Sequence, residues 1–473
     1  MRGLVIGDIL ELTARRAPSR VCATLGTTSL TFGQVEERCT GLLRALAARG
    51  VGPGHRVAWW GDTGLDAIPL WFAVARLGAV FVPVDPKATP AEVDQLLGLA
   101  DPALVVGDDA HPGQVGIGTL LADRSSGGVV PATIDEDSPH VIFFTSGSSG
   151  RPKGVVLSHR VSRTRVIGDA SPFPSGPIVC MFPQFHMAGW FGPMIAWGSA
   201  DEVVFVERAE AAPLLEAVDR RRAVRLYAIP AVWRRILEAD RAAYDLSSLV
   251  HCDTGTSATT PELLRSIAEA FPGSDTTITY GSTEAGSVCR LWPDDVQRKP
   301  GSVGPPAVLC DVALGDDGEL LVQSPVLMSG YFRDDEATAE ALAGGWFHTG
   351  DLAERDDEGY YSIVGRAKEV IRTGGETVAP AEVDTVLLAM EGLADAAVAG
   401  VPDDDWGEIV TAFVVPHPGA KVDLAAVRAH CEGRLAAYKQ PRALVVLEAI
   451  PRTGATRQVQ RRQLVARAVA DRR

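Results

Sequence analysis

Lysine is scarce in this 473-residue chain: Lys87, Lys153, Lys299, Lys368, Lys421 and Lys439 are its only members among 45 basic residues, against 60 acidic ones. The net charge of −15 and a pI near 5.1 argue against nucleic acid or an anionic membrane as partner, because such surfaces are held by excess positive charge. The one basic stretch, RQVQRRQLVARAVADRR at 457–473, reads as a solvated terminal helix whose arginines cover one face. Cysteine is sparse too. The seven thiols, at 22, 39, 180, 252, 289, 310 and 431, form no C-x-x-C pair and no Cys/His cluster, which excludes a disulfide scaffold or a zinc site. They are read as reduced and structural. Long apolar runs are missing: the most apolar segment, AIPLWFAVARLGAVFVPV at 67–84, is broken by Arg76, Gly78 and two prolines, so it reads as a buried helix and strand and not as a membrane span. The N-terminus has no signal-peptide core, which points to the cytoplasm. No solenoid-type repeat is present.

What is present is a globular composition, 46% hydrophobic and 22% charged, with length for two or more domains. From residue 57 the pattern alternates. RVAWW, VFVPVD and ALVVGD read as strands with helices between them, a βαβαβ unit and hence a parallel sheet. VIFFTSG, PIVCMFP, EVVFVE, VRLYAIP, LVHCDTG and TTITYGS repeat the rhythm, several of them ending in Gly, Ser or Thr where α/β folds place ligands. After about 310 come hairpins, GDDGELLVQ and LAERDDEGYYSIVG, and from about 368 a smaller α+β region with a helix over DLAAVRAHCEGRLAAY and a strand at RALVVLE. Residues 124–135, RSSGGVVPATID, read as a flexible surface connection. TSGSSGRPKG at 145–154 has the composition of a phosphate-holding loop. Its spacing is wrong for a P-loop, since two residues separate Gly147 from Gly150 and Pro152 precedes Lys153.

Four separated segments carry a family resemblance: FFTSGSSGRPKGVVLSH at 143–159, YGSTEAG at 280–286, GWFHTGDLAERDDEGYYSIVGRAKEVIRTGGETVAPAEV at 345–383, and YKQPRALVVLEAIPRT at 438–453. Together and in this order they make the whole chain resemble the acyl- and aryl-CoA ligases of the adenylate-forming superfamily, which also holds luciferases and the adenylation domains of peptide synthetases. The resemblance implies an α/β fold. A large N-terminal domain, 1–367, of parallel-sheet βαβ layers plus a β-rich part would bind ATP and substrate, and a small mobile α+β C-terminal domain, 368–473, would turn about a hinge at Lys368. It implies ATP, Mg2+ and CoA as cofactors, a small-molecule acid as substrate, and a monomer or homodimer.

Residue by residue, the resemblance places Thr145, Ser146, Gly147, Ser148, Gly150 and Lys153 around the β- and γ-phosphates. Tyr280 and Gly281 fall against the nucleotide, Thr283 at the α-phosphate, and Glu284 with Thr145 at magnesium. A hard divalent ion needs few carboxylates when phosphate oxygens complete its shell. Asp351 would take the ribose hydroxyls, Arg366 would add a ribose or phosphate contact, and Gly255, Thr256 and Ser257 would form the adenine wall. FPQFHMAGW puts His186 at the substrate entrance, with Trp190, Tyr227, Gly255 and Ala285 lining the acid pocket and favouring an aromatic acid. Gly374 and Gly375 would let the pantetheine arm pass closely.

Two departures keep alternatives open. The adenine wall is more polar than usual because Thr256, Ser257 and Ala258 replace the family's Gly-Ala-Pro, and Arg457 stands where a lysine ordinarily serves adenylation. A planar guanidinium is not a compact ammonium. Besides an acid–CoA ligase, the residues are compatible with a non-CoA outcome, namely amide formation or nitrite-dependent diazotisation of an arylamine. They are also compatible with a catalytically weak nucleotide-binding homologue.

Overall fold

A computed structural model describes residues 5–108, 113–123, 133–146, 152–170, 175–257, 259–453 and 457–471. The expected surface connection at 124–135 lies outside them for its first nine residues. The βαβαβ reading holds: Arg56–Trp60 pairs in parallel with Val80–Pro83 on one side and Leu104–Gly107 on the other. The helix between the first two strands, Ala67–Arg76, is buried from Ala67 to Ala75. A helix apolar on every face can only sit inside the protein, and this one lies in the main core with Phe72 edge-on to Trp197.

Two large sheets make up most of the chain. In one, the parallel trio continues to Pro139–Ser146, after which the chain folds back as Pro152–Ser158 and gains Gly330–Tyr331 at the edge. In the other, Ile178–Cys180 lies between Val203–Phe205 and Arg225–Tyr227, with His251–Gly255 and then Ile278–Ser282 following in parallel. An N-terminal hairpin, Val21–Leu25 with Thr28–Thr31, closes its far edge by pairing with Val203–Phe205. The hairpin is short, and its partner strand in the sheet lies far away along the chain.

The expected hairpins form a third sheet, Asp311–Leu314, Glu319–Gln323, Phe347–Arg355 and Tyr361–Arg366. The main hydrophobic core runs from Ile6 to Tyr361, while two further cores use only residues between Ile371 and Ala468. These last cores cover the two faces of a sheet built on the long hairpin Leu393–Asp403 and Gly407–Pro416, with Ala443–Val446 added in parallel.

Two expectations need correction here. The helix begun at Leu424 stops at Cys431 and does not run to Tyr438, because Gly433 at φ +73 turns the chain into the left-handed region. The terminal helix, Arg461–Asp471, is docked and not merely solvated: Leu464 and Ala468 are buried beside Phe413, Leu447 and Ile450.

Candidate active site

Four neighbouring parallel strands end on one edge of the second sheet, and the residues just beyond those ends form the site. After Ile178–Cys180 come Phe182 and His186; Arg225–Tyr227 ends on Tyr227; His251–Gly255 leads to Thr256; Ile278–Ser282 contains Tyr280 and turns through Thr283 and Glu284. The strands are short and mostly buried, from the apolar Ile178–Cys180 to the more polar His251–Gly255, and turn or loop residues follow their carboxyl ends.

Tyr280, Asp351 and Arg366 converge. The Tyr280 hydroxyl donates to Asp351 Oδ2 at 2.6 Å, and Arg366 Nε lies 2.8 Å from Asp351 Oδ1, the last two residues being register partners on adjacent strands. Burial raises the Asp351 carboxyl above its usual range, opposed by the Arg366 charge and the Tyr280 hydroxyl. Burial likewise raises Tyr280 well above an ordinary phenol.

Thr283, Glu284 and Ala285 form the turn of the hairpin Ile278–Ser282 and Gly286–Leu291. Ala285 is fully buried and its N–H donates to Ser282 Oγ, so it braces the turn. Gly281 faces the Gly286 carbonyl too closely for any side chain. The turn is held from below by Arg165, which sequence reasoning missed. Its guanidinium donates to the carbonyls of Thr283 at 3.0 Å, Glu284 at 2.8 Å and Val326 at 2.7 Å. Burial lowers Arg165 to about 10, with Glu284 and Asp169 opposing. Gly286 leaves room for it, since a Cβ there would lie 2.9 Å from Arg165 Nε. The available signal was helical: Val161, Ser162, Arg165, Val166 and Asp169 share one buried face of His159–Ala170.

Thr145 and Lys153 face each other across the hairpin that flanks the Ser/Thr/Gly loop, the Thr145 hydroxyl donating to the Lys153 carbonyl at 3.4 Å. Gly147, Ser148 and Gly150 lie outside the described residues, as does the side chain of Ser146. Lys153 Nζ sits 4.6 Å over the ring of Tyr331, whose hydroxyl donates to Glu284 Oε1 at 3.2 Å. Among the described residues no group of three or more His, Cys, Asp or Glu converges. A resident all-protein metal cage is therefore not what these residues offer. The Glu284 carboxylate has no ion pair among them, and its open lone pairs suit a divalent ion completed by phosphate oxygens.

At the other end of the site, Phe182 stacks on His186 with centroids 6.2 Å apart and meets Tyr227 edge-on at 5.2 Å. His186 Nδ1 accepts the Ala188 N–H, which leaves its proton on Nε2, and burial lowers it to about 4. Gly255, at φ +159, is where a Cβ would meet the Thr279 carbonyl and the Tyr227 hydroxyl. Thr256 follows at φ +67, a costly conformation for a β-branched residue, and its buried hydroxyl has no partner among the described residues. Ser257 is exposed and Ala258 lies outside the described residues. Trp190 is not brought to this group. It stacks on Trp71 at 4.1 Å inside the aromatic core and spends its N–H on the Gln184 carbonyl, so the pocket-lining expectation for it is replaced by a core role. Phe182 is the aromatic ring that meets His186 and Tyr227.

In the smaller unit, Gly374 at φ +59 and Gly375 at φ +85 are the two-residue turn between Ile371–Thr373 and Glu376–Val378. A Cβ on Gly374 would come within 2.5 Å of the Trp406 ring. Lys368 is exposed, two residues beyond Arg366. Arg457, at φ +56, gives its carbonyl to Arg452, which pairs with Asp395. Desolvation lowers Arg457 first, then the charges of Arg235 and Arg452, with Asp395 opposing. None of the groups bearing on it belongs to the cluster around Lys153.

Sheets of this order, a Ser/Thr/Gly hairpin beside one lysine, and a Tyr–Asp–Arg group facing a Thr–Glu turn define an adenylate-forming ligase. A family profile described as AMP-binding enzyme matches residues 10–332, and one described as AMP-binding enzyme C-terminal domain matches 382–457. The chain belongs to the AMP-binding enzyme family. It is 32% identical to indoleacetate–CoA ligase of Aromatoleum aromaticum over 98% of each chain. Among solved structures it is similar to ATP-bound MatB from Rhodopseudomonas palustris, at 26% identity, TM-score 0.88 and coverage of 98% of this chain and 99% of that one. It is also similar to the amide bond synthetase McbA from Marinactinospora thermotolerans, at 26% identity, TM-score 0.85 and the same coverage. Among the described residues no helix is long and apolar enough to cross a membrane.

Proposed function

We propose that this enzyme joins a small aromatic carboxylic acid to AMP from ATP, releasing pyrophosphate, and then transfers the acyl group to CoA in the cytoplasm. The observation that carries the reading is the convergence of Tyr280, Asp351 and Arg366 on one side and Lys153, Thr283 and Glu284 on the other, from four segments far apart in the chain. Asp351 and Arg366 hold the ribose, Tyr280 lies against the base beside Gly255 and Thr256, and Lys153 with the loop after Thr145 takes the outer phosphates. Magnesium at Glu284, when bound, offsets phosphate charge. Thr283 orients the α-phosphate toward the acid. Fixed donors of this kind act where charge develops as pyrophosphate leaves.

The aromatic acid is supported by Phe182, His186 and Tyr227, a phenyl ring stacked on a neutral imidazole and edge-on to a phenol, and by the name of one relative, indoleacetate–CoA ligase. The large unit is taken as 1–367 and the small one as 368–473, turning about Lys368 to bring Gly374 and Gly375 to the acceptor. Arg457 replaces the usual lysine in the closed arrangement. A second reading, transfer to an amine and not to CoA, is favoured by the polar Thr256 in the wall and by the resemblance to an amide bond synthetase.

The test is pyrophosphate release across aryl and alkyl acids, with CoA, an amine or nitrite supplied in turn. Aryl acids with CoA should give the highest kcat/KM. Turnover with an amine but not with CoA would establish the second reading, and turnover only with nitrite and an arylamine would overturn both.

A further inference from the structure

One phenol lies between two charges of opposite sign. Lys153 is on the strand Pro152–Ser158, and Tyr331 pairs with Val155 of that strand, so Lys153 and Val155 share a face and the Tyr331 ring reaches Lys153 diagonally. The same segment grips the other partner. Met328 N–H donates to the Glu284 carbonyl at 2.7 Å, and the Tyr331 hydroxyl donates to the Glu284 carboxylate. Its placement is firm: Ser329 and Phe332 N–H groups bond the carbonyls of Val156 and Gly154, and Tyr331 N–H bonds Thr338 Oγ1 at 2.8 Å.

We propose that Tyr331 is a positioning residue that holds Lys153 and Glu284 side by side but unpaired, the ring face taking the ammonium and the hydroxyl taking the carboxylate. Flexible opposite charges this near would otherwise form an ion pair, and an ion pair must be broken before phosphate can take the lysine or magnesium the carboxylate. The phenol separates the two tasks. A cation over a ring face keeps its donors free for an anion, and a carboxylate holding one neutral hydroxyl keeps its remaining lone pairs for a cation. The inference rests on the reading of Lys153 and Glu284 as phosphate and magnesium groups.

Calorimetric binding of a non-cleavable ATP analogue, with and without Mg2+, tests it apart from turnover. Tyr331→Phe keeps the ring and should retain binding of the metal-free analogue while weakening the magnesium complex about tenfold, the size of one hydrogen bond to a charged group. Tyr331→Leu frees both charges to pair and should weaken both forms. Its affinity should then fall less steeply than the wild type's between 50 and 500 mM salt, because screening weakens the new pair along with the attraction of the anion. If both variants bind as the wild type does, or if Tyr331→Leu follows the wild-type salt trend, the proposal is wrong. Lys153→Ala and Glu284→Ala serve as controls: if they too bind the analogue normally, the nucleotide reading itself fails and takes the proposal with it.

Discussion

Arg165 is a buried cation that donates to the Met187 thioether and to three backbone carbonyls, two of them in the Thr283–Glu284 turn. A fork that meets three carbonyls cannot be copied by lysine, whose ammonium is a point charge on a flexible stem. Arg165→Lys should therefore cost about 2 kcal/mol of stability, the penalty of leaving buried acceptors unpaired, and should also slow ATP–pyrophosphate exchange by loosening the turn. Urea unfolding and exchange rates measured on the same variant check both halves. Lowered stability with unchanged exchange would make Arg165 structural only. Such a residue is hard to find in a sequence, since its carbonyl partners lie 118 to 161 positions away and SRTRV resembles any charged helix surface. Tyr331 is hidden for the same reason: its two charged partners come from segments unrelated to it in sequence. Tyr280, Thr283, Glu284, Asp351 and Arg366 were legible because they sit in motifs whose order along the chain carries the information.

At the level of elements, strands were the easiest to read, because a buried parallel strand must be a short apolar run and few other structures are. Elements decided by distant contacts were less legible, whereas the early stop of Leu424–Cys431 is a local matter of Gly433. The N-terminal hairpin exists because Val21–Leu25 finds Val203–Phe205, and the terminal helix is anchored because Leu464 meets Phe413, Leu447 and Ile450. Leu464→Ala should remove about 2–5 kcal/mol by leaving a cavity in a core formed within the smaller unit alone. Hydrogen exchange should show the loss in 393–416 and 443–446 with little change before residue 361. An equal loss throughout would mean that the two units unfold as one.

Across the whole molecule, the buried ionisable groups respond to acid with opposite signs. His140 and His159 stack at 5.0 Å in the main core, and burial lowers both, His159 to about 4. Their unfolded forms bind protons below about 6.5 and the folded forms do not, so the stability they contribute is present above that pH and is lost as pH falls toward 4. His159 Nδ1 also accepts the Ile6 N–H, a bond that protonation would remove. Asp384, in the smaller unit, is raised by burial to about 6 against the charge of Arg461, so its contribution is present below 3.8 and is lost as pH rises through 6. Between pH 7 and 4.5 the larger unit should loosen by up to about 3 kcal/mol from His159 alone, while Asp384 opposes that trend in the smaller one. Denaturant midpoints against pH for wild type and His159→Gln check this, and parallel curves would refute it. The seven cysteines have a further consequence. All are free, six are buried and Cys310 partly so, and burial raises the pKa of each. A mixed anhydride of the kind proposed here acylates any thiolate it meets. Cys180 lies two residues from Phe182, yet it is shut in the core as a neutral thiol pushed up to about 12. The enzyme thus handles an electrophile among its own sulfurs without offering it one, so the acceptor that arrives from solution meets no competitor.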